Sequence, residues 1–275
     1  MTLIRLIATD LDDTLLDAHS DVTARTVSAV RRAMDAGALF SLSSGRMPEA
    51  MLPLAEKLNV NAPMILYNGA LIYDHRTGRT LFSNAIPAET ALAVVRMLEQ
   101  MGLYVQAYPG KGYYCERRCA FTEGYERSIR VPAAELGVPV SQWMRGDMVK
   151  LLAIAPPEEL DRALPTLRAA FPTVNFMKSR PHYCEIVARG IDKGVALRKL
   201  GEMTGVAVDE IMAFGDGQND VSMLAAAGVG VAMENAVEDC RRAAKRIAPR
   251  NTEDGVAQVI EELLAAGQIG GAANG

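Results

Sequence analysis

The chain has 275 residues, 49% hydrophobic and 23% charged, a balance that fits a folded globular protein of one large or two moderate domains and excludes disorder. Its formal net charge of −4 argues against a dedicated nucleic-acid binder, which carries a basic face. No apolar run reaches the roughly 18 residues of a spanning helix. The opening Met1–Ile7 lacks the basic, apolar and small-residue regions of a signal peptide, so the expected address is the cytoplasm, with Cys115, Cys119, Cys184 and Cys240 as free thiols.

Along the chain, Leu3 to Ala8 is an apolar run that ends at Thr9-Asp10 and reads as a buried strand. A helix is predicted from Thr23 to Ala36, with Val27, Val30 and Met34 at helical spacing and Gly37 as its stop. Ala38 to Ser43 is a second strand, the segment after Pro48 a second helix, and Pro63 to Tyr67 a third strand. Strand, helix, strand, helix, strand predicts a parallel sheet wrapped by helices. The rhythm then changes. Leu71-Ile72-Tyr73 and Thr80-Leu81-Phe82 flank a turn at Gly78 and predict a hairpin.

From 85 to 185 the pattern is α+β with antiparallel character: a helix over Ala88 to Met101, a strand over Leu103 to Tyr108, and a strand over Met148 to Ala155. A helix over Pro157 to Ala170 and strands at Val174 to Lys178 and Tyr183 to Val187 follow. The first rhythm returns afterwards: a helix from Gly194, a strand over Ile211 to Phe214, a helix through Ala227, a strand over Val229 to Ala232, and a final helix over Val256 to Ala265. The expected organisation is therefore a core from 1–84 and 186–275 with 85–185 inserted. The glycine- and alanine-rich tail from Gly267 to Gly275 is expected to fray.

The chemistry concentrates where strands end. Asp10-Leu11-Asp12-Asp13-Thr14 follows the first strand directly, and ligands of open parallel sheets bind beyond those strand ends. By composition alone, Asp-x-Asp-x-Thr arises in roughly one chain in thirty of this length, and a polar turn with a helix cap accounts for it equally well. Gly215-Asp216-Gly217-Gln218-Asn219-Asp220 follows a second apolar strand, and its pattern is rarer, on the order of one chain in several hundred. Carboxylates converging above one sheet raise each other's pKa, and a divalent cation relieves them; oxygen ligands suit Mg²⁺. Ser43-Ser44-Gly45-Arg46 offers hydroxyls and backbone N–H groups at the same rim, suited to phosphate oxygens. Lys193 begins a helix where the sheet-forming rhythm resumes, a candidate phosphate clamp.

Taken in order, these four segments resemble the four motifs of the haloacid dehalogenase (HAD) superfamily of phosphotransferases. Asp10-x-Asp12-x-Thr14 is similar to the first, Ser44-Gly45 to the second, Lys193 to the third and Gly215-Asp216-x-x-Asn219-Asp220 to the fourth. The insertion resembles the type II cap of the Cof-like branch (subfamily IIB). Ser44-Gly45-Arg46, Asn68-Gly69-Ala70 and Asp254-Gly255-Val256-Ala257 also resemble that branch. Ser44 rather than Ser43 matches the second motif, because it directly precedes the Gly-Arg pair. One departure is Asp13, where many members carry glycine; its Cβ matters if the backbone there takes a positive φ.

The resemblance implies a fold, a doubly wound, Rossmann-like α/β core with an inserted α+β cap, and a reaction. It is Mg²⁺-dependent hydrolysis of small phosphorylated metabolites, sugar phosphates foremost, through an aspartyl-phosphate. Asp10 would be the nucleophile and Asp12 the general acid and then base, which requires a proton on Asp12 at the first step. Asp10, the Asp12 carbonyl and Asp216 would hold Mg²⁺. The N–H groups from Leu11 onward, Ser44, Gly45, Lys193 and Asn219 would bind phosphate, with Asp220 supporting them. Arg46, Arg180, His182 and Tyr183 are candidates for the leaving group. A phosphosugar mutase shares the fold. A phospho-aspartate signalling domain shares the acceptor chemistry but does not want an acid/base residue at Asp12. Neither a nucleic acid nor a membrane is an expected partner, and the sequence does not fix an oligomeric state.

Overall fold

A computed structural model describes residues 2–271, apart from the side chains of Ser128 and Ser179. The described residues divide into two compact units. One is built from the chain up to Gly45, from Leu52–Phe82 and from Ile191 onward; the other comprises Arg46–Met51 and Ser83–Gly190.

The chain opens with β1 (Leu6–Thr9), α1 (Ala24–Asp35), β2 (Leu39–Leu42), α2 (Pro48–Leu58), β3 (Met64–Leu66), β4 (Leu71–Asp74) and β5 (Arg79–Ser83). Every residue of β1 is buried, as a strand covered on both faces must be. Thr23 caps α1, its hydroxyl accepting the Thr26 N–H at 3.1 Å. Thr26, Ala29, Val30 and Ala33, three and four apart, make its buried face.

The insertion contributes α3 (Ala88–Gln100), β6 (Tyr104–Tyr108), β7 (Tyr114–Cys115), α4 (Ala120–Ile129), β8 (Ala134–Glu135), α5 (Val140–Trp143), β9 (Lys150–Ile154), α6 (Pro157–Ala170), β10 (Val174–Arg180) and β11 (Tyr183–Ala188). Its six-stranded sheet runs β10-β11-β9-β6-β7-β8, antiparallel except at the parallel β7–β8 pair. Val105, Ala107, Leu151, Ala153, Cys184 and Ile186 line one face and pack with Val94, Leu98, Leu160 and Leu164 of α3 and α6. The other face carries Gln106, Tyr108 and Lys150, all buried. The Lys150 ammonium stands 4.6 Å above the Tyr108 ring and 3.9 Å from Glu185.

The chain finishes with α7 (Lys193–Thr204), β12 (Ile211–Gly215), α8 (Val221–Ala226), β13 (Val229–Met233), α9 (Glu238–Ala243), β14 (Arg246–Ala248) and α10 (Gly255–Ala265). The principal sheet has the order β14-β13-β12-β1-β2, parallel throughout. Leu6 lies between Leu39 and Ile211, so the strand order reverses at β1 and the carboxyl end of β1 is the switch point.

Two expectations need correction. The third strand does not join the parallel sheet as a ladder. It heads a separate three-stranded sheet, β3-β4-β5, and meets the chain just beyond β2 through the parallel Ser43–Ile65 bridge and the Ser44 N–H, which donates to the Ile65 carbonyl at 2.8 Å. The tail does not fray between Gly267 and Gly271. Ile269 bridges Ile4, and the N–H groups of Gly270 and Gly271 donate to the carbonyls of Ile4 and Ala36, each at 3.0 Å. Backbone pairing with β1's approach overrides the glycine-rich composition; residues 272–275 lie outside the described residues. The structure also adds α4, α5, β7 and β8, which have no counterpart in the sequence reading. No described helix is long and apolar enough to cross a membrane.

Candidate active site

Three strand ends and one helix start meet at the switch point. The Asp10 N–H donates to the carbonyl of Phe214 at 3.0 Å, which carries the β1–β12 ladder to the last residue before the loop. Asp216 follows β12 immediately, and Ser43 and Ser44 follow β2. Lys193 is the first residue of α7. Asp192 caps that helix by accepting the Val195 N–H at 2.8 Å.

Lys193 is fully buried, and its ammonium donates to Asp10 Oδ1 and Asp220 Oδ1, both at 2.6 Å. The other Asp220 oxygen accepts the N–H groups of Asp216 and Gly217, at 3.1 and 2.9 Å. Asp220 is therefore committed on both oxygens. Asp216 accepts the buried Thr14 hydroxyl at 2.7 Å. Carboxylate oxygens of Asp10, Asp216 and Asp220 lie within 4.8 Å of one another.

Burial raises the Asp10 carboxyl well above the ordinary carboxylate range; Asp220 adds to the effect and Lys193 opposes it. Burial likewise pushes Asp216 up to about 6, against the Thr14 hydrogen bond and with the help of Asp220 and Asp13. For Lys193 burial disfavours the charge, but Asp10 and Asp220 override it and the ammonium is held above its usual range. With all three ionised, the carboxylates would outnumber the ammonium by two negative charges, the strain that the raised carboxyls express. A hard divalent cation with oxygen ligands fits both the donor set and that charge.

Of the remaining motif residues, Asp12 is half-buried, and its carboxylate is not one of the three that converge. Leu11 is buried, and its carbonyl accepts the N–H groups of Thr14, Leu15 and Leu16. Asp13 does take a left-handed conformation, φ 61, the geometry in which a glycine is at ease. Ser43 and Ser44 are both buried, and Ser43 Oγ is without a hydrogen bond. The Asn219 amide donates to Asn68 Oδ1 at 3.0 Å. Arg46, Arg180, His182 and Tyr183 belong to the other unit. There Arg180 ends β10 and Tyr183 starts β11, with His182 exposed in the turn between them. Two residues were quoted from the sequence as parts of motifs but given no role there: Thr14, a donor to Asp216, and Asn68, the partner of Asn219. The signal for Thr14 was its place in the first motif. For Asn68 it was the Asn-Gly pair closing an apolar strand.

Known proteins resemble this chain over nearly its whole length. The family of haloacid dehalogenase-like hydrolases matches residues 7–260. Phosphatase YwpJ of Bacillus subtilis is 29% identical, with 95% of this chain and 100% of the relative covered. Pyridoxal phosphate phosphatase YbhA of Escherichia coli is also 29% identical, over 94% of this chain and 98% of that protein. The crystal structure of a haloacid dehalogenase-like hydrolase from Bacteroides thetaiotaomicron superposes with a TM-score of 0.88 at 29% identity, covering 94% of this chain and 99% of the other. Because the match runs unbroken through both parts of the parallel sheet and the insertion between them, the chain belongs to the haloacid dehalogenase-like hydrolases, in their Cof-like branch.

Proposed function

We propose that the protein is a Mg²⁺-dependent phosphatase of small phosphorylated metabolites, sugar phosphates foremost, acting through an aspartyl-phosphate, the acyl phosphate of Asp10. The observation that carries this reading is the buried Asp10–Lys193–Asp220 chain at the switch point with Asp216 beside it. It presents a nucleophilic carboxylate, a fixed cation and a charge deficit in one place. The cytoplasm supplies such metabolites and keeps the thiols reduced.

Asp10, Asp216 and the Asp12 carbonyl would hold the cation. Bound there, Mg²⁺ would neutralise charge between the phosphate and Asp10 so that a weak nucleophile can approach a dianion. An Asp10 oxygen attacks phosphorus, the bond from phosphorus to the leaving oxygen breaks, and Asp12 gives that oxygen its proton. Asp12 then takes a proton from a water, which attacks phosphorus and breaks the bond to Asp10. Inorganic phosphate leaves and both carboxyls return to their starting states. Lys193, Ser44, the N–H groups of Leu11 and Gly45, and the Asn219 amide stabilise the equatorial oxygens. Asp220 acts through Lys193, which it holds in place. Arg46, Arg180, His182 and Tyr183 remain the candidates for the leaving group.

The test is phosphate release from sugar phosphates, nucleotides, pyridoxal phosphate and an aryl phosphate, with Mg²⁺ and with chelator, for the wild type and Asp10→Asn. Hydrolysis that needs Mg²⁺ and disappears in the folded variant is the expected result. Wild-type rates in Asp10→Asn would overturn the mechanism. Release of phosphate in chelator would overturn the cation.

A further inference from the structure

Tyr67, Asn68 and Gly69 link β3 to β4 with φ values of 51, 56 and 101. Three successive residues are therefore left-handed. Glycine enters that region freely and asparagine tolerates it, but a tyrosine there is an outlier. The turn is also buried, with Tyr67 at 0% and Asn68 at 6% exposure. Such backbone persists only where its surroundings over-determine it.

Those surroundings are three of the four motif segments. The Asn68 N–H donates to the Ser44 carbonyl at 3.0 Å. The Asn68 amide lies so close against Gly45 that a Cβ there would stand 3.0 Å from Nδ2 and 3.2 Å from Oδ1. Asn68 Oδ1 accepts the Asn219 amide at 3.0 Å. On its far side, Gly69 packs so tightly that a Cβ would stand 2.4 Å from the carbonyl oxygen of Asp192, the cap of the helix that Lys193 begins. A connection that only joined two antiparallel strands would need none of this. Two-residue Asn-Gly turns do that work without a buried side chain reaching a distant segment.

We propose that Asn68 is a positioning residue, and that the left-handed turn Tyr67–Gly69 sets the mutual placement of Ser44–Gly45, Lys193 and Asn219 as phosphate donors. This rests on the phosphatase reading. By accepting from Asn219, Asn68 fixes the plane of that amide. Its own amide seats the Ser44–Gly45 turn, where a Cβ on residue 45 would press the amide back by a few tenths of an ångström.

The discriminating variant is Asn68→Gly. It deletes the amide while relaxing the backbone, so stability and activity separate. The expected result is a Tm closer to the wild type than that of Asn68→Ala. The kcat/KM for an aryl phosphate falls about ten- to a hundredfold, the scale of a small displacement of reacting groups. Affinity for inorganic phosphate, titrated calorimetrically with Mg²⁺, falls as well. Asn68→Ala removes the same amide but retains the backbone penalty; it loses Tm in addition. Combined with Asn219→Ala, Asn68→Gly costs little more than the worse single variant, because the two amides act as one unit.

Activity that tracks Tm across Asn68→Gly and Asn68→Ala, unchanged activity in Asn68→Gly, or full additivity with Asn219→Ala would each overturn the proposal. A wild type that binds inorganic phosphate but hydrolyses nothing would sink the phosphatase reading instead, and the binding comparison alone would then decide the role of Asn68. A wild type that binds no phosphate with Mg²⁺ present would sink both.

Discussion

Lys193 has no exposure to solvent and two carboxylates within 2.6 Å, so its removal leaves buried charge without a partner. Lys193→Met is expected to cost about 3–5 kcal/mol of stability without cation, read by chemical denaturation, and to abolish turnover. Added Mg²⁺ should recover part of the stability and none of the activity. Thr14 is a subtler case. Its hydroxyl, 2.7 Å from Asp216, opposes the burial that raises this carboxyl, and the balance leaves it at about 6. Thr14→Val should therefore raise the Mg²⁺ concentration for half-maximal activity by about tenfold, the usual scale for losing a partner of a metal ligand, with kcat at saturating Mg²⁺ little changed. An unchanged Mg²⁺ requirement would show that the Thr14 hydrogen bond does not tune the site. The motif residues at strand ends were legible in the sequence because each acid follows an apolar run short enough to be only a buried strand. Asn68 was quoted only as a family marker, since its role depends on Asn219, 151 positions away, and no local pattern announces such a pair.

At the scale of elements, periodicity revealed the longer helices and the central strands. It failed on α4, whose Gly124 weakens the helical pattern and whose left-handed C-cap is Arg130 (φ 57) where glycine is the usual signal. It also failed on β7 and β8, two residues each and too short for any period. The contact of α7 with α8 is where an element-level change reaches the site. A Cβ on Gly194, next to Lys193, would stand 2.3 Å from the carbonyl oxygen of Ser222. Gly194→Ala must push the start of α7 away from α8. The expected cost is about 1–3 kcal/mol, a drop of roughly 2–10 °C in Tm by calorimetry, with kcat/KM falling alongside because Lys193 moves with its helix. A variant as stable as the wild type would mean that α7 shifts without strain.

For the whole molecule, the carboxylates, the lysine and their supports all belong to the unit that holds the parallel sheet. Mg²⁺ should then slow hydrogen exchange in β1, β12 and the first turn of α7 and leave β6, β9 and β11 unaffected; equal protection everywhere would contradict a site confined to that unit. The effect should depend on pH. Asp216 is raised from 3.8 to about 6 on folding, so without cation the folded chain holds this proton more tightly than the unfolded one. Stability is present below about pH 4 and is lost as pH rises to about 6. Cation binding offsets that loss, so the gain in Tm from Mg²⁺ should be larger at about pH 7.5 than at about pH 5. The strand order carries a consequence for synthesis. β1 leaves the ribosome well before β12, yet Leu6 needs Ile211 as its neighbour, and everything from Ser83 to Gly190 emerges in between. The insertion has its own sheet and its own apolar core, and contacts within it are closer in sequence than those that close the parallel sheet. During translation the inserted unit is thus complete first, and β1 waits, paired on one side, for a partner not yet made.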